Sequence, residues 1–98
     1  MKRDDFIFTI GYQGSAAMVD RTAVKRYGKL STEELAREGL YRAAFCSALY
    51  SGDEHEVDAF KRVFGEASGT EEELSVDELK RLFGVKGIPD NVSRVIHV

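Results

Sequence analysis

Eight consecutive residues, Ala43 to Tyr50 (AAFCSALY), carry no charge and only two hydroxyls, at Ser47 and Tyr50. A helix built from them has no side that can face water along its length, so the rest of the chain must cover it. The start of that helix is marked upstream. Ser31 is placed to accept from the backbone N–H of Glu34 while Glu34 reaches back, and Leu30 and Leu35 are spaced to close a hydrophobic staple over the cap. From there to Arg42 the pattern is amphipathic: Leu35, Ala36 and Leu40 lie to one side, with Glu33, Glu34, Arg37, Glu38 and Arg42 on the other. The spacing predicts a central, mostly buried helix over 32–50. Gly39 is its weak point, because a mid-helix glycine costs about 1 kcal/mol relative to alanine and offers a place to divide the element in two.

Upstream, FIFTIGY (6–12) alternates with the strand period, Phe6, Phe8, Ile10 and Tyr12 against Ile7, Thr9 and Gly11. A two-residue turn at Gln13-Gly14 pairs Ile10 with Ala17 and Phe8 with Val19 and gathers all four on one face. This predicts an N-terminal β-hairpin over about 5–20. The competing reading is a strand, the loop Gly11–Ser15, and a helix from Ala16 to Tyr27. There the glycines and first helical amides would cradle a phosphate, although neither the Lys-Ser/Thr ending of a P-loop nor a full GxGxxG is present.

In either version Thr22 to Tyr27 forms a short helix closed by Gly28 and surrounded by Arg21, Lys25, Arg26 and Lys29. Asp53 and Glu56 resemble a second capping pair, opening a helix that presents Val57, Phe60, Val63 and Phe64 and ends near Gly65. GEASGTEEE (65–73) is expected to be a solvated acidic loop. Leu74-Ser75 then repeats the earlier cap, LSVDEL matching LSTEEL in four of six positions. The following helix carries Leu79, Leu82 and Phe83 and stops at Gly84. DAFKRVFG (58–65) and DELKRLFG (77–84) echo one another, each placing Lys-Arg where a C-terminal dipole favours cations and a glycine at the left-handed cap. Turn residues Gly87, Pro89, Asp90 and Asn91 precede the β-branched run Val92, Val95, Ile96 and Val98, which predicts a C-terminal strand at 92–98. The expected fold is therefore α+β in one domain, 1–98: hairpin and C-terminal strand packed with four or five helices around the central helix.

The chain's single cysteine forms no internal disulfide, the FIFTI run is too short for a signal segment, and no stretch approaches the roughly 20 apolar residues of a membrane span. A reducing cytoplasm fits best. Charge is uneven: residues 1–30 hold six Lys/Arg against three Asp, 51–79 two against ten Asp/Glu, and 80–98 four against one. That asymmetry permits a basic surface from the chain ends, or head-to-tail self-association; a homodimer is expected. Its candidate residues are Arg21, Lys25, Arg26, Lys29, Lys61, Arg62, Lys80 and Arg81.

Reactive chemistry is hard to assemble from these residues. His55 lies among Asp53, Glu54, Glu56 and Asp58, but an acidic first turn complementing the helix dipole accounts for that cluster without a metal. Cys46, in the most apolar run, reads as a buried structural thiol. His97 sits near the end of the expected strand, away from any base or nucleophile partner. VDELKRLFGV and VSRVI resemble the two helices of a helix-turn-helix repressor segment over 75–96. The resemblance implies DNA contacts from Asn91, Ser93 and Arg94, and it requires Pro89 to open the second helix because KGIPDN is longer than the usual turn. The residues point first to a non-catalytic protein-binding or regulatory module without cofactor, then to a DNA-binding regulator, and third to an anion binder at Gly11–Ser15.

Overall fold

A computed structural model describes residues 1–69 and 74–98. The chain is α+β, with six helices and a three-stranded mixed sheet among the described residues. In order these are α1 (Arg3–Ile7), β1 (Thr9–Gln13), β2 (Ala16–Val19), α2 (Arg21–Tyr27), α3 (Thr32–Arg37), α4 (Tyr41–Ser51), α5 (Glu54–Ser68), α6 (Val76–Phe83) and β3 (Arg94–His97). The strands lie in the order β1-β2-β3, antiparallel within the hairpin and parallel between β2 and β3.

The uncharged run forms α4, and it is the centre of the molecule. Ala43 through Ala48 are all buried, with Phe45 and Ala48 fully so, and α1, α3 and α5 pack around them. The expected single helix over 32–50 is divided at Gly39, whose φ of +81° is a left-handed conformation that glycine adopts without a Cβ clash. The Leu40 N–H bonds back to the Leu35 carbonyl and the Gly39 N–H to that of Ala36, a Schellman closure that ends α3 before the chain turns into α4. Both capping boxes form as expected, Ser31 with Glu34 on α3 and Ser75 with Glu78 on α6.

The hairpin forms with a different register. Its turn is Gly14-Ser15, one residue later than expected, because Gly14 (φ +58°) supplies the positive φ that a tight hairpin turn wants at its first position. The pairs become Gln13–Ala16, Tyr12–Ala17 and Gly11–Met18; a bulge at Ile10 then restores the ladder at Thr9–Val19. The later turn sets Tyr12 rather than Ile10 opposite Ala17, and the bulge turns Ile10 outward, 67% exposed, where the alternation placed it inside. Phe6, Ile7 and Phe8 are buried in succession at the end of α1, the first helix, which the alternation disguised as strand.

Other boundaries shift for identifiable reasons. Asp53 caps α5 through the His55 N–H, but Glu56 does not reach back to it; its carboxylate accepts from Thr32 across the helix pair. The helix runs through Gly65 to Ser68 and takes its left-handed cap at Gly69, so residues 65–68 are not loop, and 70–73 of the expected acidic loop lie outside the described residues. Lys61 and Arg62 are therefore mid-helix. Helix-ending chemistry explains Lys80 and Arg81 on α6 alone. On the core side Tyr41, Phe45, Phe60, Phe64 and Phe83 form one ring cluster with centroids 5.2–6.0 Å apart, joining α4, α5 and α6.

A polar thread crosses this apolar interior. Arg3 donates to Ser47 Oγ at 3.0 Å, Ser47 and Thr32 hydroxyls are 2.8 Å apart, and Thr32 donates to Glu56 at 2.7 Å. Thr32 has one proton and gives it to Glu56, so Ser47 must be the donor to Thr32. The hydroxyls thus run in one direction from a cation to an anion. Arg3 also donates to the carbonyls of Gly28 and Leu30, tying α1 to the end of α2.

Candidate functional site

β1 is an outer strand, and its sequence TIGYQ offers an apolar surface at an open edge. Ile10 is 67% and Tyr12 49% exposed. In a regular strand these two would share a face; the bulge at Ile10 separates them, and each lines a different cleft beside the strand. One cleft, of about 560 Å³, runs from Ile10 past Tyr27 to Leu40 and Phe83. The other, of about 440 Å³, lies between β1, α4 and the irregular segment 84–91, which crosses from α6 toward β3 as a strap.

The smaller cleft has the richer chemistry. Its floor is apolar and buried, made by Phe6, Cys46 and Val85. Its rim holds Tyr12, Arg42, Lys86 and Asn91, all exposed. Arg42 Nε donates to the Phe83 carbonyl at 3.3 Å, which anchors the guanidinium at the end of α6. Burial pushes the Cys46 thiol above its ordinary pKa, with Arg42 pulling slightly the other way, so the thiol is a neutral wall of the cleft and a poor nucleophile. The strap is held at its two ends: Val85 N–H to the Lys80 carbonyl, and Ser93 N–H to that of Ser15.

The structure scatters the eight basic residues read from the sequence. Arg21 donates to the His97 carbonyl, Arg26 stands 5.7 Å from the Tyr27 ring centroid, and Lys25 shares the last turn of α2. Lys29 follows in the connection to α3. Arg62 pairs with Glu33 at 2.9 Å, and Glu33 also holds Arg37; these two hydrogen bonds, Arg37 first, keep the Glu33 carboxyl below the usual carboxylate range. Lys61 neighbours Arg62 on α5, while Lys80 and Arg81 end α6. None of the eight lines either cleft beside β1. The cations that do are Arg42, which the sequence places on a charged helix side, and Lys86, which lies in the KGIPDN turn segment; only the fold of the strap over α4 brings them to one cavity.

Of the residues linked to the helix-turn-helix resemblance, Asn91 lines the smaller cleft, Ser93 Oγ bonds to Ser15 Oγ, and the Arg94 N–H reaches the Ser15 carbonyl as β3 begins. Residues 94–97 are extended, so the second helix of that arrangement is not formed. The Gly11–Ser15 segment is strand and hairpin turn rather than the entry to a helix, which removes the helical amides from the expected phosphate cradle. His55 donates its backbone N–H to Asp53, and no three metal-ligating side chains converge among the described residues. His97 Nε2 lies 2.9 Å from Asp5 Oδ1, joining β3 to α1; the neighbouring Thr9 hydroxyl is committed to the Asp5 carbonyl at 2.6 Å. No helix among the described residues is long and apolar enough to cross a membrane.

Comparison with protein-family models, with curated proteins and with solved structures returns no significant match for this chain.

Proposed function

We propose that this chain is a non-catalytic binding or regulatory module that pairs with protein, and first with a second copy of itself, along the open edge of β1. The observation that carries the reading is the exposure of Ile10 and Tyr12 on an outer strand. Proteins usually guard such edges with charge or proline, and TIGYQ has neither; its one guard is the bulge at Ile10. Gly11 to Gln13 remain as a short straight stretch able to add a strand. Two copies related by a two-fold axis would place β1 beside β1 antiparallel and cover both apolar side chains at once. The same reading puts the protein in the cytoplasm, where the lone Cys46 stays reduced.

Sedimentation equilibrium tests it. The wild type is expected to be a dimer, and Ile10→Lys, which sets a charge on an already exposed position, is expected to be a folded monomer. A wild type that stays monomeric at its solubility limit would remove the self-pairing.

A further inference from the structure

We propose that the smaller cleft binds a small organic anion with a flat apolar body. Its acidic group meets Arg42 and Lys86 at the rim, and its body lies over Phe6 and Val85 beside the Tyr12 ring. Acidic residues outnumber basic ones in this chain, 17 to 14, yet the lining holds two cations and no carboxylate. Arg42 is already oriented by its Nε bond to the Phe83 carbonyl, and its terminal nitrogens have no partner among the described residues. That leaves the planar fork that matches a carboxylate or phosphate.

The strap adds donors of its own. Between its two fastened ends, no backbone N–H from Lys86 to Val92 meets another protein group among the described residues. Backbone donors in that state are satisfied by water or by a ligand's oxygens. At about 440 Å³ the cavity falls within the usual range for small-molecule sites, and it shows their usual composition, an apolar floor with a few polar groups at the mouth. This site is independent of the pairing proposed for β1 except at Tyr12, which belongs to both.

Amide chemical-shift titration of the full chain with phenyl phosphate, benzoate, inorganic phosphate and benzylamine tests the assignment. Phenyl phosphate, benzoate or both are expected to move the amides of Tyr12 and residues 84–91. Inorganic phosphate, lacking the flat body, should bind about tenfold more weakly, and benzylamine, of opposite charge, should leave these amides unmoved. The relative strength of the first two tells a phosphate from a carboxylate preference. Arg42→Gln and Lys86→Gln should each weaken binding about tenfold. Lys86 is exposed, so Lys86→Gln decides the matter if Arg42→Gln disturbs the Phe83 contact. Equal binding of benzylamine, shifts confined to other surfaces, no shift with either aromatic anion, or full affinity in Lys86→Gln would each overturn the proposal.

Discussion

Replacing Thr32 by valine should do far more damage than its near-identical shape suggests. Thr32 is 2% and Ser47 1% exposed, so neither hydroxyl can turn to water. The proton order worked out above makes Thr32 both the acceptor for Ser47 and the donor to Glu56. Valine strands the Ser47 proton at about 1–3 kcal/mol and removes a hydrogen bond to a carboxylate worth about 1.5–3 kcal/mol. Glu56 is only half-buried and recovers part of its loss from water, and the added methyl returns roughly 0.8 kcal/mol. The net expectation is a loss of about 2–3 kcal/mol from a domain whose whole stability is of order 5–15 kcal/mol, or a fall in Tm of about 10–20 °C. Ser47→Ala should cost only about 1 kcal/mol: Thr32 keeps Glu56, and Arg3 keeps the Gly28 and Leu30 carbonyls and Asp4. The double variant has no stranded proton, so it should be about 1 kcal/mol more stable than Thr32→Val alone. Urea unfolding followed by circular dichroism measures all three. A Ser47→Ala variant as damaged as Thr32→Val, or strictly additive losses, would refute the directed chain of hydroxyls.

Other substitutions probe separate parts of the fold. Glu33 and Glu78 have carboxyls held below their ordinary value, Glu33 by Arg37 and Arg62 and Glu78 by the Ser75 backbone N–H. A lowered folded-state pKa gives stability that is present above the unfolded value and lost as pH falls through the folded one, so Glu33→Gln and Glu78→Gln should each flatten the acid limb of the stability profile and leave its neutral-to-alkaline shape unchanged. Gly39→Ala meets nothing within 4 Å of the new Cβ, so its cost is backbone strain alone, about 1–2 kcal/mol in denaturant unfolding. Cys46 should react with a thiol reagent at the rate at which the native state opens, and at full rate in urea; fast labelling of the folded protein would contradict its burial.

Local chemistry made several elements readable before the structure. Ser31 with Glu34 and Ser75 with Glu78 are complete within four residues, and the uncharged run 43–50 announces its burial without reference to any partner. Where the reading slipped, long-range packing decided between options that were locally close. Phe6, Ile7 and Phe8 satisfy a strand alternation and a helical turn equally, and only the neighbouring α4 selects the helix. The hairpin register depended on which of two adjacent turns took Gly14, and the bulge that interrupts the observed register carried Ile10 to the outside. Gly65 looked like a cap until Gly69 proved available four residues later. The smaller cleft was illegible for a different reason: Tyr12, Arg42 and Lys86 lie on three separated segments, and no spacing relates them.

The parallel pairing of β2 with β3 has a consequence for how the protein is made. Residues 16–19 leave the ribosome well before their partners at 94–97, and Val98 also donates to Val19. Until then the nascent chain carries a two-stranded ribbon, a form of only marginal stability in water, with β2 unzipped along one side. Each of the six described helices precedes β3 and can be complete before the sheet is. Synthesis therefore passes through a stage in which the ribbon is open to wrong neighbours on both flanks, and chaperone protection matters most in that interval.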